Sequence, residues 1–99
     1  MDIDQFLKAL SNIPNRFHLD WQYIRDENCD CPINALLRSK DGYRRSDIRA
    51  MENAQEELGM SFEEALLIIW AADKYNWFKP EVKALRAKLL VACKLPQET

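Results

Sequence analysis

Two cysteines beside a proline form the most reactive-looking feature of the sequence. Cys29-Asp30-Cys31-Pro32 places Cys31 at the expected start of a helix, where the helix dipole and free N–H groups favour a thiolate. The single histidine, His18, has the chemistry to act as its base. Neighbouring acidic residues disfavour the thiolate, and no third group is evident to orient the histidine. We therefore expect no catalytic residues and interpret Cys31 as a small buried side chain.

The same residues also supply the number of ligands that a zinc site needs. However, Cys29 and Cys31 stand one residue closer together than the usual cysteine pair of such sites, and Cys93 falls on the apolar face of the last predicted helix. We expect no bound metal and no cofactor. The chain has only two glycines, which excludes a glycine-rich phosphate loop and a dinucleotide fingerprint.

A scaffold of 99 residues is long enough for one core, so residues 1–99 are expected to form a single domain. Hydrophobic residues make up 47% and charged residues 30% of the chain, which is ordinary for a globular protein. The longest apolar run, residues 65–72, is far shorter than the ~20 residues that span a bilayer. Because residues 1–4 are acidic where a secretory signal would be basic, we expect a cytoplasmic protein with reduced cysteines, and no membrane partner.

Hydrophobic periodicity predicts a mainly α fold, a compact bundle of four to five short helices. Aromatic and aliphatic residues alternate with polar ones in residues 17–24, which allows a small N-terminal β-hairpin. Gly59 is suited to end a helix. Helix starts are indicated by two capping-box pairs and two prolines: Asp2 with Gln5, Ser61 with Glu64, Pro32 and Pro80.

The predicted core consists of the apolar stripe positions of these helices. Ile48 is expected on the apolar face of the helix that begins after Ser46 or Asp47. The helix after Ser61 is apolar on nearly all sides and is expected to be central. The core positions are Phe6, Leu10, Ile33, Leu36, Met51, Leu58, Leu66, Ile69, Trp70, Leu85 and Leu89.

Charge is distributed in bands of alternating sign. Residues 1–36 have a net charge of -3, residues 37–51 of +3, residues 52–73 of -6 and residues 74–99 of +4, which sum to the overall -2. Such bands either pair with one another inside the fold or present separate faces to a partner. The candidate basic face is Arg38, Lys40, Arg44, Arg45 and Arg49, which Lys83, Arg86 and Lys88 extend if the helices are adjacent. The candidate acidic face is Glu52, Glu56, Glu57, Glu63 and Glu64.

The two helices in residues 47–73 have the order of a helix-turn-helix motif. Glu63 and Glu64 stand where such a motif contacts bases, and phosphates would repel this segment. We expect no sequence-specific DNA binding. Trp77 and Phe78 form a bulky aromatic pair that either anchors an interface or closes the core.

Several short stretches together resemble small phage and prophage proteins, in character the single-domain products of anti-CRISPR loci. The stretches are Ile13-Pro14, Phe17-His18-Leu19, Ile24-Arg25, Cys31-Pro32-Ile33, Leu58-Gly59-Met60-Ser61 and Ala71-Ala72-Asp73. The resemblance implies an inhibitor that occupies a surface of a nucleic-acid-handling host defence complex, a CRISPR–Cas complex, in the cytoplasm of a bacterial host. It assigns no role to any individual residue.

The sequence therefore favours a non-enzymatic protein-binding module. The alternatives are an immunity- or antitoxin-like protein that covers a toxin through its acidic helices, and an enzyme that uses Cys31 and His18. Function is expected to reside in charged surface, with Arg44, Arg45 and Arg49 the first basic residues to test. The first acidic residues to test are Glu56, Glu57 and Glu64.

Overall fold

The computed structural model describes residues 1–13, 31–43, 45–72 and 79–94. Within these ranges the chain forms five α-helices and no strand, which confirms the mainly α prediction. The helices are α1 (Ile3–Ser11), α2 (Pro32–Asp41), α3 (Ala50–Leu58), α4 (Phe62–Ala72) and α5 (Pro80–Ala92), and a short 3-10 turn (Asp47–Arg49) precedes α3. Residues 17–24, for which a hairpin was predicted, lie outside the described ranges.

The predicted capping box of α1 is present. The Gln5 N–H donates to the Asp2 carboxylate at 2.8 Å, and the Asp2 N–H donates to the Gln5 side-chain oxygen at 2.9 Å. Two N–H groups at the start of the helix thus receive partners that the helix itself cannot supply. The helix ends where the Asn12 N–H donates to the carbonyls of Ala9 and Leu10.

Helix α2 begins at Pro32 as predicted, and Lys40 and Asp41 belong to its last turn. The helix ends at Gly42, which has a φ of 80°, and α3 ends in the same way at Gly59, with a φ of 64°. Left-handed backbone of this kind favours glycine because a Cβ would collide with the following carbonyl.

The entry into α3 differs from the prediction. A 3-10 turn stands between Ser46 and the helix, and the Arg49 N–H donates to the Ser46 carbonyl at 3.1 Å. Ile48 lies in this turn and its exposed fraction is 95%, so its predicted place on the apolar face is wrong. Residues in a 3-10 turn advance by about 120° each instead of 100°, so the stripe of α3 does not extend back to Ile48.

Most predicted core positions are buried, and the exceptions fall mainly on α4. The buried ones are Phe6, Leu10, Ile33, Leu36, Leu58, Leu85 and Leu89. Met51, Leu66, Ile69 and Trp70 are only half-buried. The deeply buried face of α4 consists instead of Ala65, Ile68, Ala71 and Ala72. A helix that is apolar on nearly all sides has no periodicity that selects one face, so its orientation was predicted wrongly.

Helix α5 packs against α4 and α1, while α3 packs against α4 and α2. The ammonium group of Lys79, which precedes α5, lies 4.4 Å from the centroid of the half-buried Trp70 ring on α4. A cation over an aromatic face adds a weak attraction to this helix pair. None of the helices in the described ranges has the length and apolar character that crossing a bilayer requires.

A buried arginine joins α4 to α5. Arg86 is only 4% exposed, and its Nη1 donates to the carbonyls of Ala71 at 2.8 Å and Ala72 at 3.0 Å. These carbonyls lie at the C-terminal end of α4, where unpaired acceptors and the helix dipole both favour a cation. Because Arg86 is buried, the expectation that it extends an exposed basic face is wrong.

Candidate interaction surface

The described residues of the α2–α3 loop, 42, 43, 45 and 46, are attached to the helices through a buried amide. Asn34 on α2 is 1% exposed, and its Nδ2 donates to the Arg45 carbonyl oxygen at 3.5 Å. The Asn34 side-chain oxygen accepts a hydrogen bond from Asn53 on α3 at 3.1 Å. The loop backbone is thereby attached to both helices that it connects.

The Arg45 side chain binds two carboxylates, one from each helix. Its Nε and Nη2 donate to the two carboxylate oxygens of Glu57, each at 2.8 Å. Its Nη1 and Nη2 donate to the two oxygens of Asp41, with Nη1 to Oδ1 at 3.1 Å. The Arg45 side chain is 16% exposed, so these contacts are partly shielded from solvent. We call Asp41, Arg45 and Glu57 the clamp.

Two further hydrogen bonds tie the clamp to the backbone at Tyr43. Arg45 Nη1 donates to the Tyr43 carbonyl at 3.2 Å, and the Tyr43 N–H donates to Asp41 Oδ1 at 2.9 Å. Hydrogen bonds from Arg45 and from this N–H hold the pKa of Asp41 below its ordinary value. Its hydrogen bonds to Asp41 and Glu57 raise the pKa of Arg45, which is therefore a permanent cation.

A second ion pair stands at the start of α3. Arg49 Nη2 donates to the carboxylate of Glu52 at 2.8 Å, and the pair is well exposed to solvent. The hydrogen bond to Glu52 raises the pKa of Arg49. In both pairs a basic-face residue binds an acidic residue of the same chain. For these residues the bands of opposite charge pair internally, which was one of the two alternatives left open by the sequence.

The rest of the basic face is divided. Lys40 is exposed in the last turn of α2, whereas Arg38 in the same turn is half-buried. Arg44 lies outside the described residues. Among the described residues of this face, Arg45 and Arg49 are paired with carboxylates, so these cations do not form an uninterrupted basic patch.

The acidic residues also have different roles. Glu52, Glu56, Glu57 and Glu63 are exposed, whereas Glu64 is half-buried. Glu64 Oε1 accepts from the Ser61 hydroxyl at 3.0 Å, and its Oε2 accepts from the Ile3 N–H at 3.0 Å. The Glu64 N–H donates to the Ser61 hydroxyl oxygen at 3.2 Å, which is one of the two hydrogen bonds of the predicted capping box. Glu64 therefore links the first turns of α1 and α4.

Two of the outward-facing side chains of this region are apolar. Tyr43 in the loop is 73% exposed, and Ile48 in the adjoining 3-10 turn is 95% exposed. Two other large apolar residues are comparably exposed on different helices, Phe62 at 56% and Val91 at 66%. None of the four was predicted to be exposed, because an amino-acid pattern identifies an apolar residue but not the tertiary packing that leaves it outside the core.

The described cysteines lie buried at the ends of helices. Cys31 is the N-cap residue of α2, Cys93 directly follows α5, and both are buried. His18, Cys29, Trp77 and Phe78 lie outside the described residues. Among the residues that are described, no three of the types His, Cys, Asp and Glu are grouped so that they could hold a metal ion.

Asn34 and Arg86 are the buried polar residues that the sequence analysis did not identify as structurally important. A signal for Arg86 exists, since it lies four residues after Val82 and three before Leu89, both on the buried face of α5. No family model, curated protein or solved structure matches the chain.

Proposed function

We propose that this chain is a non-enzymatic protein-binding module. Its binding surface is the α2–α3 region, which consists of the described residues of the α2–α3 loop and the adjoining 3-10 turn (Asp47–Arg49). The observation that carries the proposal is the combination of two exposed apolar side chains, Tyr43 and Ile48, with a connection that is held in place by the clamp. Tyrosine is enriched among the residues that dominate binding energies, and an isoleucine that is 95% exposed has apolar surface that a partner can bury.

The internal pairing of charge indicates what kind of partner this surface suits. Arg45 and Arg49 already have carboxylate partners on the same chain, so a binding partner need not supply countercharges for them. A partner with an apolar pocket for Tyr43 or Ile48 fits this arrangement. A polyanion such as nucleic acid would have to compete with the carboxylates of the chain itself.

The finer proposal, from the resemblance to anti-CRISPR products, is that this partner belongs to a CRISPR–Cas complex of a bacterial host. Inhibition would then follow from occupation of a surface, without chemistry. An immunity- or antitoxin-like role is the alternative, and it would use the exposed carboxylates of Glu52, Glu56 and Glu63 against a basic toxin. The two proposals differ in which residues affect binding.

A pull-down from a bacterial host lysate with identification by mass spectrometry tests the binding surface. Three baits are compared: the unchanged chain, the double variant Tyr43→Ala with Ile48→Ser, and Val91→Ser. The last is a matched control, because it removes an exposed apolar side chain from α5, a helix that packs against α4 and α1. We expect a protein that the unchanged chain and Val91→Ser both retain and the double variant loses.

Capture of the same proteins by all three baits would overturn this assignment of the surface. Loss of capture in Glu56→Lys with Glu63→Lys, combined with normal capture by the double variant, would favour the antitoxin-like alternative. Rapid labelling of Cys31 by a thiol reagent near neutral pH would favour the enzyme alternative, because an activated thiolate reacts quickly and a buried thiol does not.

A further inference from the structure

The clamp joins three parts of the chain that would otherwise be connected only through the backbone. Asp41 is the last residue of α2, Arg45 lies in the loop, and Glu57 lies in the last turn of α3. Arg45 donates to both oxygens of each carboxylate, so its guanidinium is fixed in position and in orientation. Bidentate contacts of this kind are the exception to the rule that surface ion pairs contribute little.

Arg45 is also fixed at its backbone. Its carbonyl oxygen faces the buried amide of Asn34, and its guanidinium reaches back to the Tyr43 carbonyl two residues earlier. One of these contacts joins two residues of the loop, and the other attaches the loop to α2. Tyr43 precedes Arg45 by two residues and is bonded to its guanidinium through the Tyr43 carbonyl, while Ile48 follows Arg45 by three residues in the adjoining 3-10 turn.

We propose that the clamp is a positioning device, which holds the α2–α3 loop in a single binding-ready conformation and thereby sets how strongly Tyr43 and Ile48 engage a protein partner. The inference rests on the proposed function for its second half only. A loop ordered before binding loses less conformational entropy when it binds, so affinity rises without any new contact. Arg45 is therefore a positioning residue whose own side chain stays with Asp41 and Glu57.

The first half is tested without a partner, by residue-resolved amide hydrogen exchange. Two amides report on the loop: the Tyr43 N–H bonded to Asp41, and the Arg49 N–H bonded to the Ser46 carbonyl. Glu57→Gln removes the charge from one arm of the clamp at nearly constant size. We expect these two amides to exchange about twofold to fivefold faster in this variant, while amides of α4 and α5 keep their rates.

Glu52→Gln is the matched control for this measurement. It makes the same chemical change in the same helix, but Glu52 is bonded to the exposed Arg49 side chain and is not part of the clamp. Because Arg49 is the partner of Glu52, the comparison uses the Tyr43 amide, and equal exchange rates at Tyr43 in Glu57→Gln and Glu52→Gln would overturn the inference. Arg45→Lys provides a second variant, because lysine keeps the charge but cannot donate bidentately to two carboxylates, and it should also accelerate exchange.

The second half uses the same host lysate as the probe. We expect immobilised Glu57→Gln to retain at least fivefold less of the protein captured through Tyr43 and Ile48, and Glu52→Gln to retain the wild-type amount. Faster loop exchange with undiminished capture would overturn the link between the clamp and binding. Undiminished capture by the variant that lacks Tyr43 and Ile48 would instead refute the proposed function and leave the exchange result standing, so the two failures are distinguishable.

Discussion

The α4–α5 pair and the α2–α3 region are stabilised in opposite ways. Between α4 and α5, apolar side chains such as Ile68 and Leu89 are fully buried, and Arg86 donates hydrogen bonds to the carbonyls at the end of α4. In the α2–α3 region, ion pairs and amide hydrogen bonds near the surface hold the backbone, while Tyr43 and Ile48 face solvent. The first arrangement depends mainly on buried apolar side chains, and the second holds a surface loop through polar contacts and leaves Tyr43 and Ile48 available for binding.

This difference predicts which substitutions will separate stability from binding. A change at a buried apolar position removes free energy of folding from the whole domain, because cooperative unfolding involves all helices. A change in the clamp loosens a local segment that can open without unfolding the rest. Variants of the two regions should therefore differ in which measurement they alter.

The largest effect is expected for Ile68→Ala in α4. Ile68 is fully buried, so truncation should lower the free energy of unfolding by about 2 to 5 kcal/mol through lost burial and a remaining cavity. Leu66→Ala is the control, and it should cost about 1 kcal/mol because Leu66 is only half-buried. Denaturant titration of both variants measures the difference, and an equal or larger cost for Leu66→Ala would restore the core face that the sequence predicted.

These two positions illustrate why the sequence predicted the fold better than the orientation of its elements. The starts of α1 and α4 were predicted correctly because Asp2, Gln5, Ser61 and Glu64 act through local hydrogen bonds that residue type and spacing specify. The buried face of α4 depends on which neighbour packs against it. No spacing rule supplies that information for a helix with apolar residues on nearly every side.

The candidate site shows the same division between local and tertiary information. The basic and acidic bands were visible in the sequence, and their internal pairing was one of the recognised alternatives. The ion pair between Arg45 and Glu57, twelve residues apart, depends on how α2 and α3 pack, so residue spacing could not predict it. The exposure of Ile48 depends on a single 3-10 turn that has no distinctive sequence signal.

The next largest effect is expected for Arg86→Met in α5. The substitution preserves much of the apolar stem but leaves the carbonyls of Ala71 and Ala72 without the donor that Arg86 supplies, at a cost of about 1 to 3 kcal/mol. Lys83→Met on the same helix is the control, and its exposed site should change stability by less than about 0.5 kcal/mol. Similar denaturation midpoints for the two variants would show that the buried hydrogen bonds contribute little.

Acid should affect the clamp without a corresponding loss in the apolar core. The pKa of Asp41 in the folded chain is below its ordinary value of 3.8, so its ionised form is favoured by the native contacts. Its contribution is therefore fully present above about pH 4 and is lost as the pH falls through the lowered pKa. The Tyr43 amide should lose protection relative to amides of α4 over this range, as measured by hydrogen exchange.

Asp41→Asn is the control for the acid experiment. This variant lacks the titrating carboxyl group, so the protection of its Tyr43 amide should be lower from the start and should change less below pH 4. If the unchanged chain and the variant lose relative protection in parallel, another group controls the loop. The comparison between the two regions would then rest on the clamp substitutions alone.

The smallest effect on stability is expected for Lys40→Glu, which most directly separates the two interpretations of the charged surface. Lys40 is exposed at the end of α2, so reversing its charge should change the free energy of unfolding by less than about 0.5 kcal/mol. Arg45→Glu is not an equivalent test, because it would place a third carboxylate beside Asp41 and Glu57 and disrupt the clamp itself.

If Tyr43 and Ile48 carry the binding, Lys40→Glu should slow association modestly and affinity should depend weakly on salt. If the charged surface carries it, as the sequence analysis expected, Lys40→Glu or Glu56→Lys should reduce capture more than Tyr43→Ala does. Capture should then also fall steeply as salt rises, because screening weakens exposed charges far more than buried apolar contacts.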